Sequence, residues 1–86
     1  MTKLYLCLKN DRIKEIVEQV CKDIFVIDKS FNFTIFKNRR FRGGEKDCQF
    51  ILSINCKDKD EAHKKGSWFV GKVDVGDVGM YYWVKE

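Results

Sequence analysis

The sequence predicts one α+β domain in which a single amphipathic helix packs on a mostly antiparallel, curved sheet. Several segments alternate apolar and polar residues with the period of a strand, and one segment carries an apolar stripe with helical spacing. The length of 86 residues allows only one small core. The predicted element order is β-α-β-β-β-β-β, in one domain that spans residues 1–86.

The N-terminal part of the chain contains the clearest elements. Residues Thr2–Leu8 alternate and predict a strand whose leucines face the core. Asn10 or Asp11 is a suitable helix N-cap. From Asp11 to about Lys22, apolar residues recur with helical spacing and form a stripe of Ile13, Ile16, Val17, Val20 and Cys21.

The rest of the chain predicts only strands and loops. Ile24–Asp28 and Phe33–Phe36 are expected to form a hairpin, and Gln49–Cys56 a further strand. Ser67–Val75 and Met80–Lys85 are expected to pair through a turn at Gly76–Gly79, which would place Trp68, Phe69, Tyr81, Tyr82 and Trp83 across from one another. The charged stretch 57–66 is interpreted as a solvated loop, with one helical turn around Lys59–Lys65 as the alternative.

A single helix of three turns cannot cover a sheet of five or six strands. We therefore expect the second face of the sheet to meet a partner, and a homodimer is one way to meet it. The aromatic residues near the C-terminus are candidates for this interface or for the core, and a base-stacking platform is the alternative. The interface residues expected from the sequence are Trp68, Tyr82 and Trp83.

The positive charge of the chain is concentrated in one place. The net charge is +4, from 17 basic and 13 acidic residues. Residues Lys37–Lys46, here called the basic segment, contain five basic residues and one acid, Glu45, so this segment carries the whole excess. Three arginines lie in it, and arginine matches the geometry of phosphate groups.

The basic segment is the strongest functional signal in the sequence. Arginines next to an aromatic residue and two glycines suit phosphate binding, base stacking by Phe41, and reading of a base edge or ribose hydroxyl by Asn38. We expect single-stranded or structured RNA and not duplex DNA, since the only predicted helix has no basic face. An acidic protein partner and a protective edge against aggregation are the alternatives. The predicted nucleic-acid-binding residues are Lys37, Asn38, Arg39, Arg40, Phe41, Arg42 and Lys46.

No arrangement of residues indicates catalysis, a metal or a cofactor. The four cysteines are expected to be reduced and mostly buried, and Cys48, Cys56 and His63 lack the spacing of a zinc finger. His63 is expected to be exposed, and the acids between 58 and 61 to lie in a solvated loop. We therefore expect a protein that binds without catalysing a reaction.

The chain contains no apolar run of about 20 residues and no signal-peptide pattern, which predicts a cytoplasmic protein without a membrane span. In its short length, its richness in Lys, Asn and Phe, and its lack of proline, the chain resembles the small accessory proteins that phages use against host factors. The resemblance implies that it neutralises or regulates a host nuclease, toxin or ribonucleoprotein. A stoichiometric protein inhibitor that binds no nucleic acid is the alternative.

Overall fold

The computed structural model describes residues 2–38, 48–73 and 81–86. Within these residues the elements are β1 (Thr2–Leu8), α1 (Asp11–Ile27), β2 (Phe33–Lys37), β3 (Phe50–Cys56), α2 (Lys59–Val73) and β4 (Tyr82–Lys85). The strands form one antiparallel sheet in the order β2-β3-β1-β4. This connectivity is the split βαβ arrangement, also called ferredoxin-like. The predicted α+β class with a helix on an antiparallel sheet is confirmed.

Both helices pack on the same face of the sheet. Their buried residues form one core with the inward side chains of β1 and β3, which include Leu4, Leu6, Ile13, Val17, Cys21, Leu52, Ile54, Ala62 and Phe69. In the described ranges no helix lies over the opposite face. Neither α1 nor α2 is long and apolar enough to cross a bilayer.

Helix α1 begins where the sequence predicts and ends five residues later than expected. The Asn10 side chain accepts a hydrogen bond from the Ile13 amide at 2.9 Å, which caps the first turn. The helix continues to Ile27, so the predicted strand at Ile24–Asp28 is wrong. Ile24 packs against the core one turn after Cys21, and this burial outweighs the strand propensity of the run.

Helix α2 replaces a predicted loop and a predicted strand. The Asp58 carboxylate accepts a hydrogen bond from the Glu61 amide at 2.9 Å and caps the helix. Ala62, Gly66 and Phe69 then form its buried stripe. Two of these residues are small and their neighbours are charged, so the stripe gives little hydropathy signal. The expected loop at 57–66 and strand at Ser67–Val75 are therefore wrong.

The change from strand to helix also overturns the predicted C-terminal hairpin. Trp68 and Phe69 lie on α2 and form no cross-strand pairs with the C-terminal strand. That strand itself is confirmed as β4, which pairs with β1. The predicted turn at Gly76–Gly79 lies outside the described residues.

Two of the four cysteines form a disulfide, so the expectation of four reduced thiols is wrong. Cys7 and Cys48 are bonded, with their Cα atoms 5.3 Å apart, although 41 residues separate them. Residue spacing alone cannot reveal such a pair. Cys21 and Cys56 are free and buried, as expected.

Candidate functional site

The sheet face opposite the helices carries a mixture of aromatic, cationic and polar side chains, and we call it the open face. Strand alternation and register assign its side chains. They are Lys3, Tyr5 and Cys7 on β1, Thr34 and Phe36 on β2, Ile51, Ser53 and Asn55 on β3, and Trp83 and Lys85 on β4.

Two aromatic rings lie side by side on the open face. Tyr5 and Trp83 are direct cross-strand partners, and their rings stack with centroids 5.5 Å apart and planes 19° apart. Tyr81, just before β4, extends the group, with its ring 5.8 Å from that of Trp83. All three residues are half-buried, so part of each ring remains accessible to solvent.

A pair of lysines lies one row along the strands from the aromatic pair. Lys3 and Lys85 are exposed and directly opposite each other in the register. Neither makes an ion pair with a described residue. The acid next to Lys85 in the sequence, Glu86, contacts Lys59 instead, at 3.4 Å. Like charges facing each other across two strands are unfavourable. The pair therefore favours a bound anion at this place.

Short polar side chains complete the middle of the face. Ser53 is the β3 partner of Tyr5, and Thr34 lies beyond it on β2. Asn55 occupies the same row as the two lysines. Hydroxyl and amide groups of this kind both donate and accept hydrogen bonds. The small Ser53 also leaves space next to the Tyr5 ring.

The disulfide between Cys7 and Cys48 lies at one end of the open face. Cys7 and Cys48 are fully buried, and the Tyr81 hydroxyl lies 3.2 Å from the Cys48 sulfur. The Cys7 amide donates to the Tyr81 carbonyl at 3.0 Å, which continues the pairing of β1 beyond β4. These contacts hold the aromatic group next to the point where the chain enters β3.

Only the first two residues of the basic segment, Lys37 and Asn38, are described. Lys37 is exposed at the end of β2, and Asn38 is 4% exposed. The Asn38 amide group donates to the Cys48 carbonyl at 2.9 Å, and its backbone amide donates to Gln49 at 2.9 Å. Asn38 therefore joins the end of β2 to the residues just before β3, and its side chain does not face solvent to read a base.

The remaining predicted binding residues of the basic segment, Arg39, Arg40, Phe41, Arg42 and Lys46, lie outside the described residues. Their flanking residues are anchored at the disulfide end of the sheet.

The three aromatic residues predicted as an interface lie in three different places. Trp68 is 47% exposed on α2, where its ring meets that of Phe69 edge to face. Tyr82 points toward the helices and donates or accepts a hydrogen bond with His63 at 3.1 Å. Only Trp83 belongs to the open face.

Sequence reasoning missed Tyr5, Lys3 and Lys85 as functional candidates. The alternation of β1 already indicates that Lys3 and Tyr5 point away from the core. The pairing of β1 with β4 joins the two ends of the chain, however, and no local pattern reveals it.

The other candidates for chemistry have structural roles. His63 is exposed, as expected, while Asp60 and Glu61 belong to the first turn of α2 and Asp58 caps it. No group of three metal-ligating side chains occurs in the described ranges. Burial, with a smaller contribution from Glu18, raises the pKa of Cys21 to about 12. This thiol therefore stays protonated and weakly nucleophilic at neutral pH.

A scan against protein-family models, a search of curated proteins and a search of solved structures each found no match to this chain.

Proposed function

We propose that this protein binds single-stranded RNA on the open face and acts by binding, without catalysis. The observation that carries the proposal is the stacked Tyr5–Trp83 pair next to Lys3 and Lys85, which make no ion pair with a described residue, on a sheet face that neither helix covers. Aromatic rings stack on exposed bases, and lysines neutralise phosphates.

The chemistry of the open face favours a single strand over a duplex. Bases can stack on protein side chains only when they are not stacked within a helix, and a four-stranded sheet with aromatic side chains is a known platform for this. The hydroxyls of Ser53 and Thr34 and the amide of Asn55 suit hydrogen bonds to base edges and to the ribose 2′-hydroxyl. These groups support RNA as the ligand.

The basic segment would add electrostatic attraction to this platform. Its flanking residues are anchored at the disulfide end of the open face, near Tyr81. Arg39, Arg40, Arg42 and Lys46 would hold phosphates there, with Phe41 as a further stacking residue. Asn38 is left out of the binding surface because it is buried. In the cell, such a protein would act as an accessory that neutralises or regulates a host nuclease, toxin or ribonucleoprotein.

The proposal is tested by fluorescence anisotropy with a labelled single-stranded RNA and protein freed of nucleic acid. Tyr5→Leu and Trp83→Leu keep apolar bulk and remove the aromatic ring. Since stacking contributes about 1–3 kcal/mol per base, we expect each change to weaken binding by roughly 5- to 150-fold. Trp68→Leu, on the helical side, is the matched control and leaves the affinity unchanged.

The same titration at a series of salt concentrations measures how much the charged side chains contribute to RNA binding. Lys3→Gln and Lys85→Gln are each expected to reduce the slope of log affinity against log salt by about 0.7. The triple change Arg39→Glu, Arg40→Glu and Arg42→Glu is expected to abolish binding while circular dichroism stays native.

Two results would contradict the proposal. The wild-type protein could fail to bind RNA at low salt, or Trp83→Leu and Trp68→Leu could bind equally well. A protein partner that survives nuclease treatment would then favour the alternative, an inhibitor that uses the same arginines without nucleic acid.

A further inference from the structure

A second exposed surface lies on the helical side, at the C-terminal end of α1. The last turn of this helix presents Phe25, Val26 and Ile27 to solvent, and the last two are 70% and 88% exposed. Trp68 on α2 is also largely exposed. Single exposed apolar residues are ordinary, but here several large ones occur near one another.

Of these residues, Trp68 lines a groove between the two helices, where it lies across from Ile24 of α1. The groove has a volume of about 270 Å³ and is lined by Ile24, Phe31, Trp68, Phe69, Lys64 and Lys65, together with Asp28. Phe31 and Phe69 are buried and form its floor. The groove can therefore accommodate one or two large apolar side chains.

Lysines surround the groove. Lys64 is exposed and makes no ion pair with any described residue, and Lys65 lies 5.5 Å from the Phe31 ring while it contacts Glu61 at 3.1 Å. Lys29 lies 4.8 Å from the Phe25 ring. The one acid in the lining, Asp28, accepts hydrogen bonds from the Ser30 amide and hydroxyl.

We infer that this groove binds an acidic amphipathic segment of a partner protein. Large apolar side chains of the segment occupy the groove, and its carboxylates lie against Lys64 and Lys65. Lys64 and Lys65 outnumber Asp28 in the lining, and Lys64 has no ion-pair partner among the described residues, so charge complementarity favours an acidic occupant. A second copy of this chain fits less well, because a two-fold interface would bring the same lysines together.

This inference is independent of RNA binding, since the groove and the open face lie on opposite sides of the sheet. The lining of the groove is mainly aromatic and aliphatic, and it offers few groups that could read a base edge. Binding of a protein segment here would allow the molecule to hold RNA and a protein at the same time.

The test is selection from a random peptide library on the immobilised full-length protein, followed by anisotropy with the enriched peptides. We expect peptides that combine Asp or Glu with Phe, Trp or Leu. Lys64→Glu and Trp68→Ala should each weaken their binding about tenfold or more. Arg12→Glu, at the other end of α1, makes the same change of charge and should leave binding unchanged.

Several results would overturn the inference. These are no enrichment, enriched peptides without acidic residues, or equal binding by the wild type and Lys64→Glu. A dimer in sedimentation equilibrium that Trp68→Ala dissociates would assign the groove to a second copy. RNA that competes with the peptide would assign it to nucleic acid. Trp83→Leu should leave peptide binding intact, so this test and the RNA test fail separately.

Discussion

Gly66 allows the ring of Tyr82 to lie directly against the backbone of α2. A Cβ atom at this position would lie 2.5 Å from Cδ2 of Tyr82 and 2.6 Å from Cγ. Such a contact is too short, and the neighbouring ring atoms leave little room to shift. The absence of a side chain at residue 66 is therefore what allows β4 and α2 to approach each other.

Two glycines of the same helix make a matched pair for testing this contact. We expect Gly66→Ala to lower the free energy of unfolding by about 1–3 kcal/mol, because the ring of Tyr82 must move. A Cβ atom at Gly71 would have no other atom within 4 Å. Gly71→Ala should therefore raise the free energy of unfolding by about 0.5–1 kcal/mol through better helix propensity. Urea denaturation of both variants measures the difference. A shift of the same sign in both would contradict the packing described here.

Lys3 and Lys85 are functional candidates only because the fold places them next to each other. Each lysine is ordinary in the sequence, at one end of the chain or the other. The register of β1 with β4 places them opposite each other, without an acid between them. Their mutual repulsion is reduced when an anion binds, which is the physical reason for including them in the RNA site.

At the scale of elements, the stability of α2 depends on the hydrogen bond that caps its N-terminus. Asp58 accepts a hydrogen bond from the Glu61 amide, whereas the Asp60 side chain accepts none from a described residue, although both residues are exposed. We expect Asp58→Ala to destabilise the protein by about 0.5–2 kcal/mol through loss of the cap. Asp60→Ala is the control and should cost less, because it removes only a charge near the helix N-terminus.

Thermal denaturation followed by circular dichroism compares the two variants. Asp58→Asn keeps a capping oxygen and should restore most of the stability. Equal stability of Asp58→Ala and Asp60→Ala would show that the cap does not stabilise α2.

The elements that the sequence predicts correctly are those with a strong local pattern. The alternation of β1 and β3 and the cap at Asn10 follow from short stretches of the chain. The end of α1 was missed because Ile24–Asp28 consists of β-branched and aromatic residues, and only packing on the sheet keeps most of it helical. Helix α2 was missed because its buried stripe contains Ala62 and Gly66, which carry little hydropathy.

The candidate site was predictable only in part. The sequence placed Trp83 at an interface or in the core, with base stacking as the alternative, and the basic segment was identified from its charge. Tyr5 became part of the site because β1 and β4 pair, and this contact joins residues near the two ends of the chain. The disulfide likewise depends on a non-local pairing, that of β1 with β3.

At the scale of the whole molecule, the two proposed surfaces lie on opposite sides of the fold. The Cα atoms extend over 31 × 26 × 21 Å. Exposed charges that are separated by more than the Debye length, about 8 Å at physiological salt, are largely screened from one another. RNA on the open face and an acidic segment in the groove should therefore bind independently. The homodimer expected from the sequence stays a prediction.

The central claim, that RNA binds on the open face, is tested most directly by NMR with the two tryptophans as reporters. Trp83 lies on the open face and Trp68 on the helical side, so each indole N–H reports on one surface. Titration of single-stranded RNA into ¹⁵N-labelled protein should shift the Trp83 signal and leave that of Trp68 unchanged. A shift of the Trp68 signal alone, or of neither, would contradict the account.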